Sequence, residues 1–508
     1  MNIEETMGGK ILEKGTCEAR FEEIWESCRR KNETVDNTVS RQGELSLMQW
    51  LAFQRGKWES NRQKTPMQKR SDFVEICAAY VRERLDQMFA AKTVQALERG
   101  CLHTADHLGG LYSPQSFQGD LLFGQMLGAD CIPCFAAGSV TLHSSTYGRG
   151  IQYYSEMDAI GKLPLFAGKY AKYAASLTGA LEENALERAE KRAASIEAGD
   201  VRQSVLDILQ KHYRSKEVMK KSRFADQVTA LGVRLSADLG EFFADYPLIY
   251  LESEEVSARL FCRDALDESS LVSWLFSNRA ILSELNREKD GDGTSLAGRL
   301  FRGNDGRGHM FPMRLGEDGV LRGASIRGEE LCVPGDLSSL AEAVQRKIIF
   351  VAPYLRAWML AFARGFTWYG GIFQSLYLPK WQQKTVAALK RAHFVDLAAE
   401  VEKWDTSGYI SGPIFALHET AEGAFPAGPV EWRLHPPSER QIEELLSTTT
   451  VESAHKMGVF EFYPDLFPAE QRMRGWYEAV GRWMKEAIRA CTTIEDQGIA
   501  NACSVVGL

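Results

Sequence analysis

Two histidines and an aspartate stand close together at the start of a tract rich in Gly, Ser, His and Tyr. Residues 103–107 read His-Thr-Ala-Asp-His, which places the imidazoles of His103 and His107 four residues apart. In a helix, residues at this spacing lie on the same face. An imidazole changes its charge near neutral pH and suits general acid–base catalysis. We therefore expect His103 or His107 to transfer a proton, with Asp106 orienting the ring.

A second polar cluster follows an apolar segment at residues 132–142. Residues 143–150 read His-Ser-Ser-Thr-Tyr-Gly-Arg-Gly. An arginine can bind a carboxylate or phosphate through two parallel hydrogen bonds, and hydroxyls and backbone N–H groups add donors. The substrate-binding residues predicted in this loop and in the helix before it are Gln118, His143, Ser144, Ser145, Thr146, Tyr147 and Arg149. The alternative is a solvated loop of ordinary Ser, Thr and Gly composition.

The same histidines offer a metal site as an alternative, with His143 as the natural third ligand beside His103 and His107. Glycines at positions 100, 109 and 110 flank the pentapeptide, so the sequence does not establish that it is helical. A third use of the rings is structural, with each imidazole hydrogen-bonded to the backbone.

A cysteine pair, Cys131 and Cys134, has the spacing of a redox-active dithiol. An apolar strand rather than a helix is predicted after it, which favours two small buried cysteines over a reactive pair. A zinc ribbon would need a second pair with this spacing, and the sequence has none.

Several well-defined catalytic motifs are missing from the sequence. It contains no Gly-x-Gly-x-x-Gly or Gly-x-x-x-x-Gly-Lys-Ser loop for nucleotides and no Gly-x-Ser-x-Gly turn for a serine nucleophile. The kinase sequences and the His-Glu-x-x-His of zinc proteases are missing too. The sequence therefore does not identify a cofactor, and these absences exclude motif families rather than reaction classes.

The composition is that of an ordinary globular protein, with 508 residues of which 44% are hydrophobic and 25% charged. A formal net charge of −8 disfavours nucleic acid and anionic lipid surfaces as partners. Ten scattered cysteines and an acidic N-terminus without an apolar stretch favour a cytoplasmic location. The most apolar segment, residues 348–363, is too short for a membrane helix and contains Pro353 and Arg356.

Local patterns predict a mixed α/β fold that is rich in helix. Two apolar runs on either side of residues 316–319 predict a hairpin within 308–325. In an open α/β sheet, ligands bind at the carboxyl ends of the strands, where the polar segments described above would lie. The other elements predicted from apolar spacing are strands at 132–142 and 151–154, one strand or two short ones at 248–261, a helix pair at 170–228 and helices at 118–127, 337–366 and 381–402.

We expect three regions along the chain. Residues 1–100 form a helical N-terminal segment, and residues 101–330 form an α/β core into which the charged helices at 170–228 are inserted. Residues 331–508 form a mainly helical region that packs on this core. The central, mostly buried sheet is expected near residues 101–160 and 245–325, wrapped by helices from both ends of the chain.

The leading functional hypothesis is an enzyme that acts on a small anionic metabolite carrying a carboxylate or phosphate. Arg149 with residues 144–146 would position the anion, and His103 or His107 would move a proton. Group transfer or ligation in a biosynthetic pathway fits this arrangement, as do elimination and isomerisation. The alternatives are a metal-dependent enzyme with His103, His107 and His143 as ligands and a non-catalytic binding or scaffold protein. A homo-oligomer is compatible with the sequence.

Overall fold

The structure is a computed structural model, and it describes residues 14–62, 70–109, 113–143, 150–154, 161–420 and 423–492. This part of the chain is mixed α/β and rich in helix, with a central parallel sheet of five strands flanked by helices. The fold class predicted from the sequence is thereby confirmed. In the described ranges, no helix combines the length and the apolar character needed to cross a membrane.

Five helices precede the first strand in the described part of the chain. Side chains cap two of them: Asn32 accepts the N–H of Val35 at the start of α2, and Asp86 accepts the N–H of Met88 at the start of α5. Such caps pair N–H groups that the helix itself leaves free. The five helices are α1 (Lys14–Lys31), α2 (Glu33–Gln42), α3 (Leu47–Arg62), α4 (Ser71–Arg84) and α5 (Gln87–Leu97).

The next part of the chain contributes three strands of the central sheet. The helix between the first two begins with Pro114 in its first turn and is capped after Leu127 by Gly128, whose φ of 59° favours glycine. A π-helical turn at 208–213 follows α8. The elements are β1 (Cys101–His103), α6 (Pro114–Leu127), β2 (Ile132–Ala136), β3 (Gly150–Tyr153), β4 (Gly161–Pro164), α7 (Glu183–Ala193), α8 (Gly199–Asp207), α9 (Lys216–Met219), α10 (Phe224–Ser236), α11 (Glu241–Asp245) and β5 (Leu248–Glu252).

The middle of the chain adds helices and two small antiparallel sheets beside the central one. One contains β8, β9 and β10, and the other contains β6, β7 and β11. The elements are α12 (Ser253–Leu266), α13 (Leu271–Ser277), α14 (Arg279–Arg287), β6 (Phe301–Asn304), β7 (Met310–Pro312), β8 (Arg314–Leu315), β9 (Val320–Ala324), β10 (Glu330–Pro334), α15 (Leu337–Gln345), β11 (Ile349–Val351) and α16 (Pro353–Ala357).

The last part of the described chain returns to the central sheet with two more strands, β12 and β13. A two-stranded antiparallel pair, β14 and β15, and four helices follow. The elements are β12 (Thr367–Gly371), α17 (Gln374–Arg391), α18 (Val395–Glu402), β13 (Tyr409–Ser411), β14 (Leu417–Glu419), β15 (Ala424–Pro426), α19 (Pro429–Leu434), α20 (Glu439–Thr448), α21 (Val451–Leu466) and α22 (Trp476–Thr492).

The five parallel strands lie in the spatial order β13-β12-β1-β2-β5. The chain therefore starts at the centre with β1, moves outward through β2 and β5 on one side, and returns to form β12 and β13 on the other. The strand order reverses between β1 and β12. In sheets of this kind, ligands bind outside the carboxyl ends of the strands at such a reversal. The topology therefore predicts a ligand site beside the residues that follow β1 and β12.

One row of aligned residues across the sheet carries polar side chains. His103 of β1 aligns with Tyr369 of β12 and with Cys134 of β2. Cys134 aligns in turn with Tyr250 of β5. Aligned residues of a parallel sheet project from the same face, and α6 covers this face, since its Phe123 stacks on the His103 ring with centroids 4.7 Å apart. The row is therefore enclosed between the sheet and α6.

Some local predictions differ from the structure. The strand predicted at 132–142 ends at Ala136, because the next residues turn so that their N–H groups reach a buried carboxylate. Residues 150–153 do form a strand, but β3 pairs with β4 and not with the central sheet. The helix predicted at 337–366 is interrupted by β11, which pairs with β6. The predicted hairpin is present, with β8 antiparallel to β9.

His455 on α21 connects this helix to the edge strand β13. Its Nδ1–H donates to the carbonyl of Val451 over 2.6 Å, and its Nε2 accepts from the Tyr409 hydroxyl over 2.8 Å. Both ring nitrogens are thus satisfied when the imidazole is neutral. Burial lowers the pKa of His455 to about 4.

We expect His455 to make the protein less stable as the pH falls from 6.5 to about 4. The unfolded chain takes up a proton at His455 near pH 6.5, whereas the folded chain does so only near pH 4, so acidification favours unfolding. The free energy of unfolding should lose about 3 kcal/mol from this group over that range. Urea unfolding of wild type and His455→Gln at a series of pH values measures the difference. The exposed His435→Gln should keep the wild-type pH dependence, and an unchanged pH dependence in His455→Gln would contradict the assignment.

Candidate functional site

Polar residues gather at the carboxyl ends of four central strands. They follow β1, β2, β5 and β12, and together with two arginines from β6 and α16 we call them the carboxyl-edge cluster. Its members are Thr104, His107, Gly138, Ser139, Ser253, Glu254, Arg302, Arg356 and Gln374.

At the reversal of the strand order, Thr104 contacts Gln374. The Thr104 hydroxyl donates to Oε1 of Gln374 over 2.9 Å. The Gln374 side chain is buried, and its Nε2 has no hydrogen-bond partner among the described residues. A Cβ at Gly370 would lie 2.4 Å from the amide carbon of Gln374, so the glycine allows the amide to fold back over β12. An unpaired buried donor at this position is where a ligand oxygen can bind.

Glu254 is a fully buried carboxylate in the first turn of α12, and five donors surround it. The N–H groups of Gly138 and Ser139 donate to it over 2.7 and 2.9 Å. The other donors are the hydroxyls of Ser176 and Ser253 and the guanidinium of Arg356. Burial alone would raise the pKa of Glu254, but Arg356 and these hydrogen bonds hold that pKa below its usual value. Glu254 is therefore an ionised link between the loops after β2 and β5.

Two guanidinium groups lie beside Glu254. Arg356 on α16 is buried and donates to Glu254 over 3.1 Å. It also donates to the hydroxyls of Ser139 and Ser253, while its Nε has no partner among the described residues. Arg302 lies on β6, which pairs with the strand directly before α16. Two cations beside one carboxylate leave a local excess of positive charge, which favours an anionic ligand.

The guanidinium of Arg302 differs from that of Arg356 because no described residue forms a hydrogen bond or ion pair with it. Its side chain is partly buried. Burial, together with the positive charge of Arg356, lowers the pKa of Arg302, and the charge of Glu254 opposes this effect. Arg302 therefore lies close to Glu254 and Arg356, but no described residue accepts a hydrogen bond from its guanidinium.

The predicted catalytic residues are extended rather than helical. His103 is the last residue of β1, and β-type pairing resumes at His107, which forms a bridge with Ala137 next to β2. The two imidazoles therefore do not share a helical face, because strand pairing governs this segment. His103 is fully buried, whereas His107 is partly exposed.

His103 and Asp106 belong to a buried polar cluster between the sheet and α6. Nδ1 of His103 donates to the carbonyl of Tyr369 over 3.3 Å, and Nε2 lies 2.5 Å from Oδ1 of Asp120. Asp106 accepts the hydroxyl of Tyr250 over 2.8 Å. Burial lowers the pKa of His103, raises the pKa of Asp106 to about 7, and raises the pKa of Asp120 well above its usual range. From the sequence, Asp120 fits equally well a residue that faces the same cavity and part of the acidic start of a helix.

Of the two imidazoles in residues 103–107, that of His107 lies at the carboxyl edge. Burial lowers its pKa to about 4, although the nearby negative charge of Glu254 opposes this shift. The ring is therefore neutral near pH 7 and can accept a proton. Its partial exposure gives it access that His103 lacks.

Gln118 is placed away from the carboxyl edge, in the middle of α6. Its Nε2 donates to the carbonyls of Ala416 and Ala427, each over 2.9 Å. Its Oε1 accepts the N–H groups of Phe415 and Ala416 over 2.8 and 3.0 Å. These four bonds use the full hydrogen-bonding capacity of the amide, so the structure gives Gln118 a packing role where the sequence predicted a substrate contact.

The remaining predicted substrate-binding residues are only partly described. His143 is exposed to solvent. Ser144, Ser145, Thr146, Tyr147 and Arg149 lie outside the described residues, and their role stays a prediction. The alternative metal site, His103 with His107 and His143, is not assembled in the described part of the chain. The group of donor side chains found there contains His103 but neither of the other two histidines.

Sequence reasoning missed the arginines of the carboxyl-edge cluster. Arg356 stands inside the most apolar segment of the chain, and a charged residue in such a segment is a signal, because buried arginines need partners or a function. Glu254 follows directly after β5, where acids often serve a site. Arg302 has no comparable local signal, since it alternates with apolar residues on a short strand.

The carboxyl-edge cluster draws its residues from positions between 104 and 374, so no short motif contains it. Its chemistry is nevertheless coherent: one ionised carboxylate, two guanidinium groups, an amide donor without a described partner and a neutral imidazole lie at one edge of a parallel sheet. Comparison with known proteins adds no relative from which a role could be carried over. No family model matches the chain, and no curated protein or solved structure matches it either.

Proposed function

We propose that the protein is an enzyme that binds a small anionic metabolite, a carboxylate or a phosphate ester, at the carboxyl-edge cluster. The observation that carries this proposal is the guanidinium of Arg302, which is partly buried and has no partner among the described residues. Removing a cation from water without a counter-charge is costly. An anionic ligand would supply that counter-charge.

Three further features support binding at this edge. The buried Nε of Arg356 and the buried Nε2 of Gln374 are unused donors among the described residues. The reversal of the strand order lies between β1 and β12, and Thr104 and Gln374 follow these two strands. The helix α17 begins at Gln374, so its first N–H groups add positive electrostatic potential at the same edge.

His107 is the residue proposed to transfer a proton to or from the bound anion. It is partly exposed at the carboxyl edge, whereas His103 is fully buried beneath it. A proton acceptor beside a bound anion separates an enzyme from a simple anion-binding protein.

Anion binding is tested with inorganic phosphate and citrate as probes, measured by isothermal titration calorimetry at constant ionic strength. We expect phosphate or citrate to bind the wild type and to bind Arg302→Gln about 10–100-fold more weakly, because a charge-assisted hydrogen bond contributes about 1.5–3 kcal/mol. Arg314→Gln is the matched control, since Arg314 is an exposed residue on the nearby strand β8. It should bind the probes as the wild type does.

The stability of the same variants without added anion provides a second readout. Arg302→Gln should unfold at a temperature equal to or above that of the wild type, because it removes a charge without a partner in the described chain. Equal binding by wild type and Arg302→Gln, or binding by neither, would overturn the anion site.

Turnover is tested by incubating the protein with a metabolite extract and following depletion of its components by mass spectrometry. His107→Gln should abolish depletion while keeping phosphate binding.

A further inference from the structure

Beneath the carboxyl edge, four buried side chains bring one donor atom each within 4.8 Å of the others. The four residues are His103, Asp106, Asp120 and Cys134. They come from β1, the segment after it, α6 and β2, so the group joins the centre of the sheet to the helix that covers it. One nitrogen, two carboxylates and one sulfur are the donor types found at transition-metal sites.

The outer contacts of His103 leave one ring nitrogen facing the group. Nδ1 donates to the backbone carbonyl of Tyr369, and Nε2 points to Asp120. Histidines that bind metal ions characteristically donate their other ring N–H to a carbonyl or carboxylate, which fixes the tautomer. The stacking of Phe123 on the ring further restricts its orientation.

In each of the two carboxylates, one oxygen contacts a neighbouring side chain and the other oxygen has no partner among the described residues. The Asp106 carboxyl accepts the hydroxyl of Tyr250 at Oδ2 and also forms a hydrogen bond with the Ser116 side chain, while Oδ1 has no partner among the described residues. Oδ1 of Asp120 contacts His103, while Oδ2 likewise has no described partner. Both side chains are fully buried, so water does not readily satisfy these oxygens.

The sulfur of Cys134 completes the group. The backbone N–H of Asp106 forms a hydrogen bond with this sulfur. In the described chain the ion pairs connect neither Asp106 nor Asp120 to a lysine or arginine, and the charged partner found for Asp120 is His103. A bound cation would therefore supply a counter-charge that no lysine or arginine of the described chain gives these two carboxyl groups.

We propose that His103, Asp106, Asp120 and Cys134 together bind one divalent transition-metal ion. Zinc fits the mixed nitrogen, oxygen and sulfur donors best. All four ligands are buried, and four protein ligands close the coordination shell, so the ion ties β1, β2 and α6 together. This site is distinct from the proposed anion site, and it keeps only His103 of the three histidines that the sequence suggested as ligands.

The test is to express the full chain in medium with added zinc and to measure bound metal by inductively coupled plasma mass spectrometry after gel filtration. We expect about one zinc per chain in the wild type. Cys134→Ser should lower the zinc affinity at least about tenfold. Cys131→Ser is the matched control, since Cys131 is also buried and free and lies three residues away but outside the group. It should bind zinc as the wild type does.

A spectroscopic measurement on the wild type tests the site even if the variants do not fold. Protein prepared with cobalt in place of zinc should show sulfur-to-cobalt charge-transfer absorption in the near ultraviolet together with visible bands of a tetrahedral site. Folded wild-type protein that retains less than about a tenth of an equivalent of zinc or cobalt would overturn the proposal. Zinc binding that is equal in wild type and Cys134→Ser would overturn it as well.

Discussion

Replacing Glu254 with alanine is expected to lower the free energy of unfolding by about 3–5 kcal/mol. The carboxylate accepts two backbone N–H groups and two serine hydroxyls, and it pairs with the buried guanidinium of Arg356. Its removal leaves these donors unsatisfied and the arginine without its counter-charge. Breaking a buried pair by removing one partner is among the most destabilising single changes. Urea or guanidinium unfolding followed by circular dichroism measures the loss.

Two further variants test whether charge or packing is responsible. Glu254→Gln keeps the size of the side chain but loses the charge and presents an amide N–H₂ to donors, so it should recover only part of the lost stability. Glu342→Ala removes an exposed carboxylate that also pairs with an arginine, Arg346, over 3.2 Å, and it should cost less than about 1 kcal/mol. A loss below about 1 kcal/mol in Glu254→Ala would contradict the anchoring role.

The position of Glu254 also explains why the loop after β2 turns where it does. A Cβ at Gly138 would lie 1.9 Å from Oγ of Ser176 and 2.8 Å from Oε2 of Glu254, so only glycine fits there. The two N–H groups of this loop form an anion-binding turn, and the protein's own carboxylate fills it. In the proposed function, the substrate anion therefore binds other donors, among them those of Arg302, Arg356 and Gln374 that have no partner among the described residues.

Elements with strong local patterns could be predicted from the sequence. The helix predicted at 118–127 lies within α6, and the hairpin around residues 316–319 forms as predicted, because apolar spacing and turn residues determine both locally. The strands β12 and β13 were missed. The latter has only three residues, and Trp368, Tyr369 and two glycines of β12 resemble a turn more than a strand. Pairing with β1, which is distant in the sequence, makes β12 a central strand.

The candidate site could be predicted in part, by residue type but not by partner. His103, Asp106 and His107 stand out because titratable residues cluster there in the sequence. In the structure, His103 faces Asp120 and Cys134, whereas His107 lies at the carboxyl edge. This difference follows from strand pairing and from the position of α6, and local sequence spacing does not contain that information. Likewise, Arg302 and Arg356 come together only because β6 pairs with β11, just before α16.

A second buried charge network lies directly before β12. The side chain of Arg364, three residues before this strand, donates to both oxygens of Asp72 on α4 and to both oxygens of Asp264 on α12. It also donates to the carbonyl of Met359 over 3.0 Å. Burial would raise the pKa of Asp72, but Arg364 holds that pKa below its usual value. One guanidinium thus connects two helices to the segment that enters the central sheet.

Replacing Arg364 with alanine is expected to lower the free energy of unfolding by about 3–5 kcal/mol, because two carboxylates remain together without their cation. Arg364→Lys keeps the charge but lacks the planar fork that contacts both carboxylates, so it should recover less than half of that loss. Arg346→Ala, at an exposed ion pair, is the control and should change stability by less than about 1 kcal/mol. Full recovery by lysine would show that charge alone is sufficient. A partial recovery would show that the planar geometry of Arg364 is required. Phosphate binding by the Arg364→Lys protein would then show whether a shift of β12 also moves Gln374, which follows this strand.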